Sequence, residues 1–171
     1  MEFHNSEKNQ IVQIDRDISP ATGKPIKGKL RFEQIDVHSP LYPDSLVLRD
    51  EVLRKPLGLK WTDAEREEEA RCIHLVALAG ANVVATLLLK PMEPGTVKMR
   101  QVAVHPAMQR VGIGSKLVAF AEETAKALGY RRICAHVRLS AVSFYRKAGY
   151  SIIGDPFVEV TIPHVLAEKL L

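Results

Sequence analysis

A stretch in the middle of the chain limits the fold most, because a strand pattern, a turn with two glycines and an amphipathic helix follow one another there. The turn reads Gln109-Arg110-Val111-Gly112-Ile113-Gly114. The helix after it has one buried stripe at intervals of three and four residues, made of Leu117, Phe120, Ala121, Thr124, Ala125 and Leu128. Gly129 is placed to end this helix.

Strand patterns lie on both sides of this helix. Before it, residues 73–78 and 83–89 flank Ala79-Gly80-Ala81-Asn82 and predict an antiparallel hairpin. After it, the pattern predicts strands over residues 131–137, 150–153 and 157–162, with a helix over about residues 140–148. This order predicts an α+β (mixed α/β) domain around a largely antiparallel sheet.

The N-terminal part of the chain has a different composition. Residues 1–28 are polar and turn-rich, and within them only Ile11-Val12-Gln13-Ile14 alternates like a strand. We therefore predict an N-terminal polar extension over residues 1–28, which includes one short strand or none, and a single domain over residues 29–171.

The strand before the central turn changes its periodicity part-way along. Val97 and Met99 place apolar side chains at odd positions, whereas Val102 and Val104 place them at even positions. A β-bulge near Arg100-Gln101 produces this shift of one residue and leaves backbone groups free for an extended ligand. An edge strand without a bulge fits the same residues.

Charge is unevenly distributed. The whole chain has 24 Lys and Arg against 20 Asp and Glu, a formal net charge of +4. Residues 98–147 contain ten Lys or Arg and two Glu, so this segment alone carries +8. Such a segment favours an anionic ligand. We expect no nucleic-acid partner, because no aromatic RNA-binding signature or helix-turn-helix pattern accompanies the charge.

Other classes of protein fit poorly. The apolar runs are much shorter than the ~20 residues of a membrane-spanning helix, so we expect no membrane span. The first residues have no apolar core of a secretory signal, and we therefore expect a cytoplasmic protein. Two cysteines, Cys72 and Cys134, and six histidines show no metal-ligand spacing, which predicts neither a metal site nor a disulfide.

The glycine turn suits a phosphate group. A helix N-terminus exposes unpaired backbone N–H groups and carries a partial positive charge. Gly112 and Gly114 allow the backbone to come close to a ligand. The residues match neither the P-loop nor the dinucleotide fingerprint, and a purely structural turn is the alternative.

Three segments together resemble the GNAT superfamily of acetyl-CoA-dependent N-acyltransferases. They are Val102-Ala103-Val104-His105-Pro106, then Gln109-x-x-Gly112-x-Gly114, then Phe144-Tyr145-Arg146-Lys147-Ala148-Gly149-Tyr150. The resemblance covers about residues 30–171 and implies a mostly antiparallel, twisted central sheet of six to seven strands, flanked by about four helices. His136-Val137-Arg138 and Phe157-x-Glu159-x-x-Ile162-Pro163-His164 are similar to one largely uncharacterised bacterial branch.

The resemblance implies which residues bind acetyl-CoA. Backbone groups of Val102, Ala103 and Val104 would pair with the pantetheine arm. The pyrophosphate would be held by the turn, with Arg110 adding charge: Gln109, Arg110, Val111, Gly112, Ile113, Gly114 and Ser115. Arg138 is a departure from the family, since many members have a cofactor-contacting asparagine there, so it meets either the cofactor or an acidic group of the substrate.

Tyr145 matches the tyrosine that the family places near the thioester sulfur. Its hydroxyl would protonate or hydrogen-bond the departing thiolate. From the residues alone, a tyrosine beside Phe144 on a helix also fits the hydrophobic core.

The residue that accepts the substrate proton is less defined. Glu159 interrupts an apolar strand pattern, and partial burial would raise the pKa of its carboxyl group and suit a general base. An exposed strand face fits Glu159 equally well. His164 and His136 are alternative bases or substrate-binding groups, and either also fits a structural role.

The resemblance therefore implies an enzyme that moves an acetyl group from acetyl-CoA to a primary amine by direct attack within a ternary complex. The amine belongs to a small molecule, a protein or a peptide. Cys134 shows no sign of an activated thiol, so a covalent intermediate is not expected. The alternative is a non-catalytic acyl-CoA-binding module or sensor. Exposed strands near the C-terminus make a homodimer reasonable.

Overall fold

The computed structural model describes residues 14–18 and 25–171. Near the N-terminus, β1 (Ile14–Ile18) and β2 (Pro25–Gly28) pair as a separate antiparallel two-stranded sheet. The described part of this extension thus has two short strands, whereas the sequence pattern indicated one. Ile11, Val12 and Gln13, most of the predicted strand, lie outside the described residues.

The end of this small sheet lies against the main sheet. Gly28 has a φ of +129°, and a Cβ atom there would lie 2.7 Å from the Cα of Gly80. Gly80 in turn donates its N–H to the carbonyl of Lys29 over 3.3 Å. A side chain at residue 28 would have to displace backbone, so glycine is required at this approach.

Seven strands form the main sheet, in the order β3-β4-β5-β6-β7-β9-β8. Their bounds are β3 Leu30–Ile35, β4 Ile73–Ala79, β5 Asn82–Pro91, β6 Thr96–Val104, β7 Arg132–Arg138, β8 Ser151–Glu159 and β9 Ile162–Leu170. All neighbours are antiparallel except β6 and β7, which are parallel. The predicted mixed α/β fold and the predicted hairpin β4–β5 are confirmed.

Four α-helices connect the strands: α1 Tyr42–Arg49, α2 Asp63–Glu69, α3 Ile113–Ala127 and α4 Val142–Lys147. A π-helical turn (Asp50–Arg54) and a 3-10 turn (Lys55–Leu57) extend α1. Helix α2 begins with a complete capping box between Thr62 and Glu65. The long parallel connection from β6 to β7 runs through α3, as a crossover connection requires.

Both faces of the sheet are covered. Helices α3 and α4 pack on one face, against buried residues that include Val97, Met99, Ile133, Ala135 and Val137. The opposite face holds a smaller buried cluster of Leu48, Val76, Leu78, Val83 and Ala103, to which α1 contributes Leu48. Because side chains alternate along a strand, the even-numbered residues of β6 and β7 point to the α1 side of the sheet near residues 98 and 136.

The C-terminal strands differ from the prediction. The predicted strand over residues 157–162 is the end of β8, a two-residue turn and the first residue of β9. Val160 and Thr161 form the turn with φ values of +45° and +65°, the left-handed conformation of a type I′ hairpin. Glycine, asparagine and aspartate are usual in such turns, so the apolar and β-branched residues here gave no turn signal.

Along the described part of the chain, the helices are too short and too polar to span a lipid bilayer.

Candidate active site

The central feature of the site is a gap between two neighbouring strands. Residues 96–99 of β6 pair with residues 132–135 of β7, and in the described structure the register of this pair ends there. Residues 100–104 and 136–138 continue as strands while remaining paired with β5 and β9 on their other sides. We call the space between them the strand gap. Its walls are strand edges whose backbone groups, among the described residues, have no ladder partners across the gap.

The predicted bulge is confirmed, and it lies at the entrance to the strand gap. Leu88 is opposite Arg100 and Thr86 is opposite Ala103, so β6 has one residue more than β5 over this interval. Gln101 has a φ of +52°, which side-chain-bearing residues rarely adopt. Since β6 is an interior strand, the alternative of an unbulged edge strand was wrong.

Hydrogen bonding to β5 shows which backbone groups face the strand gap. His105 donates its N–H to the carbonyl of Val84 over 2.9 Å, so this pair is of the hydrogen-bonded kind. By alternation, Ala103 faces β5, whereas Val104 and Val102 direct their N–H and C=O groups into the strand gap. The amide of Gln109 donates to the carbonyl of Val104 over 3.1 Å.

The glycine turn lies beside this edge. Arg110 and Gly112 have positive φ values of +62° and +83°, and Gly112 is the N-cap of α3. The first bond of the helix runs from the N–H of Lys116 to the carbonyl of Gly112 over 3.1 Å. The N–H groups of Ile113, Gly114 and Ser115 therefore precede the helical bonding and remain available as donors. Arg110 is exposed on the turn.

Gly114 brings the helix N-terminus close to the strand gap. A Cβ atom at this position would lie 3.5 Å from Cγ2 of Val104 and 3.7 Å from the ring of Phe144. The orphan N–H groups of α3 and the free edge of β6 thus form one continuous surface of donors and acceptors. A ligand with an extended amide arm and an anionic group at one end fits this surface.

Tyr145 lies where the strand gap begins. Its side chain is 7% exposed, and its hydroxyl group points to Sδ of Met99 over 3.9 Å. Met99 belongs to the last paired position of β6 with β7. The ring packs edge-on against Phe144 and Tyr150, so the residue is also part of the core. Burial raises the pKa of the Tyr145 phenol to about 12, and the hydroxyl stays protonated at neutral pH.

On the α1 side of the sheet, His136 lies between a carboxylate and an ammonium group. Its Nδ1 is 3.0 Å from Oε1 of Glu159. Nζ of Lys98 is 3.0 Å from Nδ1 and 3.1 Å from Nε2 of the same ring. Because a carboxylate only accepts and an ammonium only donates, the consistent arrangement has Nδ1–H donating to Glu159 and Nε2 accepting from Lys98.

The charge state of Glu159 differs from the prediction. Partial burial raises the pKa of its carboxyl group, but the hydrogen bond from His136 and the electrostatic effects of His136, Lys98 and His164 together outweigh burial. The net result is a pKa below the usual value, so the predicted raised pKa was wrong. A carboxylate of this kind orients a histidine better than it removes a proton.

His164 is buried, and one side of its ring is occupied. Nδ1 is 2.7 Å from the carbonyl oxygen of Ile162, so Nδ1 carries the hydrogen. The lone pair of Nε2 then remains available to accept a proton. The ring stacks on Phe157, whose other neighbour is His136. In the β7–β9 register, His164 is opposite Arg138. The structure therefore brings His136, Glu159 and His164 together, while Tyr145 lies on the α4 side of the sheet.

Lys98 was not predicted as a site residue. It meets His136 because β6 and β7 are parallel neighbours, with Lys98 opposite Cys134. Burial lowers the pKa of the Lys98 ammonium. A sequence shows neither the order of strands nor their register, so it contained no signal for this contact.

A second group of side chains that the sequence did not indicate holds the bulge. Arg49 forms a buried ion pair with Glu69, with Nη1 to Oε1 at 2.8 Å and Nη2 to Oε2 at 3.1 Å. Gln101 accepts from Arg49 over 2.9 Å and donates to Glu69 over 3.2 Å. Tyr42 donates its hydroxyl to Glu69 over 2.9 Å. We call these four residues the bulge network.

Glu68, the neighbour of Glu69, pairs with two cations. It accepts hydrogen bonds from Lys90 and, over 2.5 Å, from Arg100. The hydrogen bonds from Lys90 and then Arg100 lower the pKa of Glu68 from 4.5 to about 2. A depressed pKa stabilises the folded state above the unfolded pKa of 4.5, and this contribution disappears as the pH falls towards 2.

We therefore expect Glu68→Gln to lower the melting temperature at pH 7 and to lose most of this effect as the pH falls to about 2, where about half of the folded protein has Glu68 protonated. The side chain is 37% exposed, so the pair is worth at most about 1 kcal/mol, roughly 2–4 °C. Melting curves of both proteins from pH 7 to pH 2 measure the difference, with exposed Glu67→Gln as the control. A difference that stays constant over this range would exclude the ion-pair explanation.

Within the described residues, no three His, Cys, Asp or Glu side chains converge as a metal site.

Comparison with known proteins agrees with this geometry. The model of the Acetyltransferase (GNAT) family matches residues 37–150. The chain is 25% identical over 127 residues to the uncharacterized N-acetyltransferase YjcF of Bacillus subtilis, a match that covers 74% of this chain and 90% of that protein. It is 34% identical over 74 residues to the uncharacterized protein YyaT of B. subtilis, covering 43% of this chain and half of that protein.

Solved structures share the fold over most of the chain. A candidate N-acetyltransferase from Lactobacillus plantarum superposes with a TM-score of 0.74 at 26% identity, covering 83% of this chain and 98% of that one. A B. subtilis acetyltransferase in complex with CoA superposes with a TM-score of 0.66 at 24% identity, covering 84% and 99%. With the strand gap, the bulge and the α3 N-terminus in place, the family match is decisive: the chain belongs to the GNAT acetyltransferase family.

Proposed function

We propose that this protein transfers the acetyl group of acetyl-CoA to a primary amine by direct attack in a ternary complex. One observation carries the proposal. The orphan N–H groups of α3, the outer edge of β6 and the hydroxyl group of Tyr145 follow one another along the strand gap. This order matches the order of pyrophosphate, pantetheine amides and thioester in acetyl-CoA.

The cofactor is proposed to bind as an added strand. The pantetheine amides pair with the outward N–H and C=O groups of Val102 and Val104, as in other cases of strand addition. Ala103 supports them through its buried side chain, since its own backbone faces β5. The pyrophosphate accepts hydrogen bonds from the N–H groups of Ile113, Gly114 and Ser115, with the exposed Arg110 adding charge.

The acceptor is proposed to approach from the α1 side of the sheet. His136 lies next to the strand gap, and Glu159 fixes its ring with Nδ1 protonated. Nε2 accepts from Lys98 in the free protein. Once the Lys98 ammonium turns away, Nε2 can take the proton that the amine loses after its nitrogen attacks the thioester carbonyl. Glu159 acts by orienting this ring, and His164, whose Nε2 is also unprotonated, is the alternative base. The amine belongs to a small molecule or to a protein or peptide.

Tyr145 is proposed to stabilise the leaving group. As the carbon–sulfur bond breaks, the sulfur gains negative charge, and the phenol can donate a hydrogen bond to it. With a pKa of about 12, the phenol is a weaker acid than a thiol of ~8.5, so the hydrogen bond matters more than complete proton transfer.

A covalent acetyl-enzyme does not enter this scheme. Cys134 is the thiol closest to His136 in the sequence, but burial raises its pKa and so disfavours the thiolate. Direct attack needs mainly orientation, which the strand gap supplies by holding the thioester between the two faces of the sheet.

Acetyl-CoA is expected to raise the melting temperature. A ligand that binds only the folded state at ~100 times its dissociation constant adds roughly 2.7 kcal/mol, which corresponds to roughly 5–10 °C for a domain of this size. Thermal unfolding with acetyl-CoA or CoA measures the shift, with ATP and NAD at equal ionic strength as controls. An unchanged melting temperature at millimolar acetyl-CoA would refute the proposal.

We also propose that two copies associate through β8, the last strand of the sheet order. Its outer edge exposes Ile153 (44%) and Val158 (73%). An exposed apolar edge strand is a template for pairing with a second copy.

A further inference from the structure

We propose that Arg49 and Glu69, acting through Gln101, are positioning residues that set the shape of the acyl-CoA-binding edge of β6. This inference rests on the proposed function, because it assumes that acyl-CoA binds along this edge. None of the three side chains is proposed to touch the reacting atoms. Their role is to fix the shape of the bulge. The bulge in turn sets the direction of the next three residues of β6.

The first argument is the burial of the ion pair. The side chain of Arg49 is 0% exposed and that of Glu69 is 3% exposed. Two hydrogen bonds join the guanidinium and the carboxylate in a bidentate arrangement, which fixes their relative orientation. The pair is held in place from outside, because Tyr42 donates to Glu69 and the Arg49 Nε donates to the carbonyl of Ser45 over 3.4 Å.

The second argument is how Gln101 engages both partners. Its Oε1 accepts from Nη1 of Arg49, and its Nε2 donates to Oε1 of Glu69. A side-chain amide has one acceptor and one donor end, and here each end meets a buried charged group of the matching kind. Apolar residues of the same length could not make either contact.

The third argument is the backbone of Gln101. A φ of +52° is a conformation that glycine adopts freely and that a glutamine reaches only when the surroundings hold it there. The side-chain bonds to Arg49 and Glu69 supply this constraint. The sequence thus has a tethered residue at a position where a glycine would leave the bulge free to change shape.

The constraint reaches the cofactor edge directly. Val102 follows Gln101 in the chain, and Val104 is two residues further on. Both direct backbone groups into the strand gap only because the bulge shifts the alternation of β6 by one residue. If Gln101 leaves its present conformation, the N–H and C=O groups of Val102 turn away from the strand gap. They can then no longer pair with the pantetheine amides.

The test replaces Gln101 by leucine, which has similar size and no hydrogen-bonding groups. We expect the dissociation constant of CoA, measured by titration calorimetry, to rise at least ~10-fold, because a binding edge that is no longer preorganised loses affinity. Ile133→Val is the matched control. It removes one methyl group from the core where β6 and β7 are paired, so it lowers the melting temperature without touching the bulge.

The comparison separates positioning from stability. A merely structural role predicts that Gln101→Leu and Ile133→Val bind CoA alike once both proteins are folded at the assay temperature. Equal dissociation constants, or a change below ~2-fold against the wild type, would overturn the inference. Should the leucine variant not fold, Gln101→Gly provides the same comparison, because glycine adopts this φ without strain but has no tether. Here too the inference requires weaker CoA binding than in Ile133→Val.

The wild-type titration keeps the two claims apart. If the wild-type protein does not bind CoA, the proposed function fails before the variants are compared. If it binds CoA and Gln101→Leu binds equally well, only the positioning role is refuted.

Discussion

Replacing Tyr145 by phenylalanine is expected to lower turnover by ~100-fold or more while changing the affinity for acetyl-CoA by less than ~2-fold. The ring packs between Phe144 and Tyr150, and phenylalanine preserves that packing. What disappears is the hydroxyl group at the start of the strand gap. The hydrogen bond that we propose it donates to the thioester sulfur would be needed chiefly when the carbon–sulfur bond breaks, so the loss should appear in the rate constant and not in binding.

Tyr150→Phe is the matched control for this experiment. It removes one hydroxyl group from the neighbouring ring in the same cluster, and this hydroxyl lies near the carboxyl group of Glu122 on α3. Steady-state rates with an accepted amine and calorimetric titration with acetyl-CoA give the two quantities. Unchanged turnover in Tyr145→Phe would make Tyr145 a core residue alone. If the wild-type protein binds acetyl-CoA but acetylates none of a broad panel of amines, the acyl-CoA sensor becomes the better interpretation.

The substitution Glu69→Leu is expected to lower the free energy of unfolding by about 3–5 kcal/mol. The substitution leaves the guanidinium of Arg49 buried without its carboxylate, and an uncompensated buried charge is among the most destabilising single changes. Tyr42 and Gln101 lose the same acceptor. Urea unfolding followed by circular dichroism measures the loss, which corresponds to a fall of roughly 6–20 °C in melting temperature.

The double variant Arg49→Met with Glu69→Leu tests the cause. It removes both charges and replaces them by apolar groups, so it should recover part of the stability that Glu69→Leu alone loses. Glu67→Leu, on the exposed side of α2, should change stability by no more than about 0.5 kcal/mol. A loss of under about 1 kcal/mol for Glu69→Leu would contradict the view that this ion pair is an essential buried contact.

Features that depend on neighbouring residues were predictable from the sequence. The bulge appeared as a one-residue shift in the alternation between Met99 and Val102, because every strand residue points to the opposite face from its neighbour. The turn before α3 appeared through Gly112 and through the stripe of the helix after it. The catalytic interpretation of Tyr145 came from the family resemblance, and it stays a prediction.

Features that depend on distant residues were not predictable. Arg49 and Gln101 are separated by 52 positions, and Lys98 and His136 by 38, so their contacts follow from the arrangement of helices and strands. The pKa of Glu159 was misjudged for the same reason. Burial alone would raise it, and the sequence does not show that His136 and Lys98 are its neighbours.

The strand gap has a mechanical consequence. Between β6 and β7 the sheet is continuous over four register positions, and beyond them it is split into halves of four and three strands. A small rotation about these four positions would widen or narrow the opening. An acyl-CoA bound as proposed would bridge the halves like a removable strand. When the product CoA leaves, the two halves would again be free to rotate about these four positions. Product release would widen the strand gap, and closing of the sheet would narrow it.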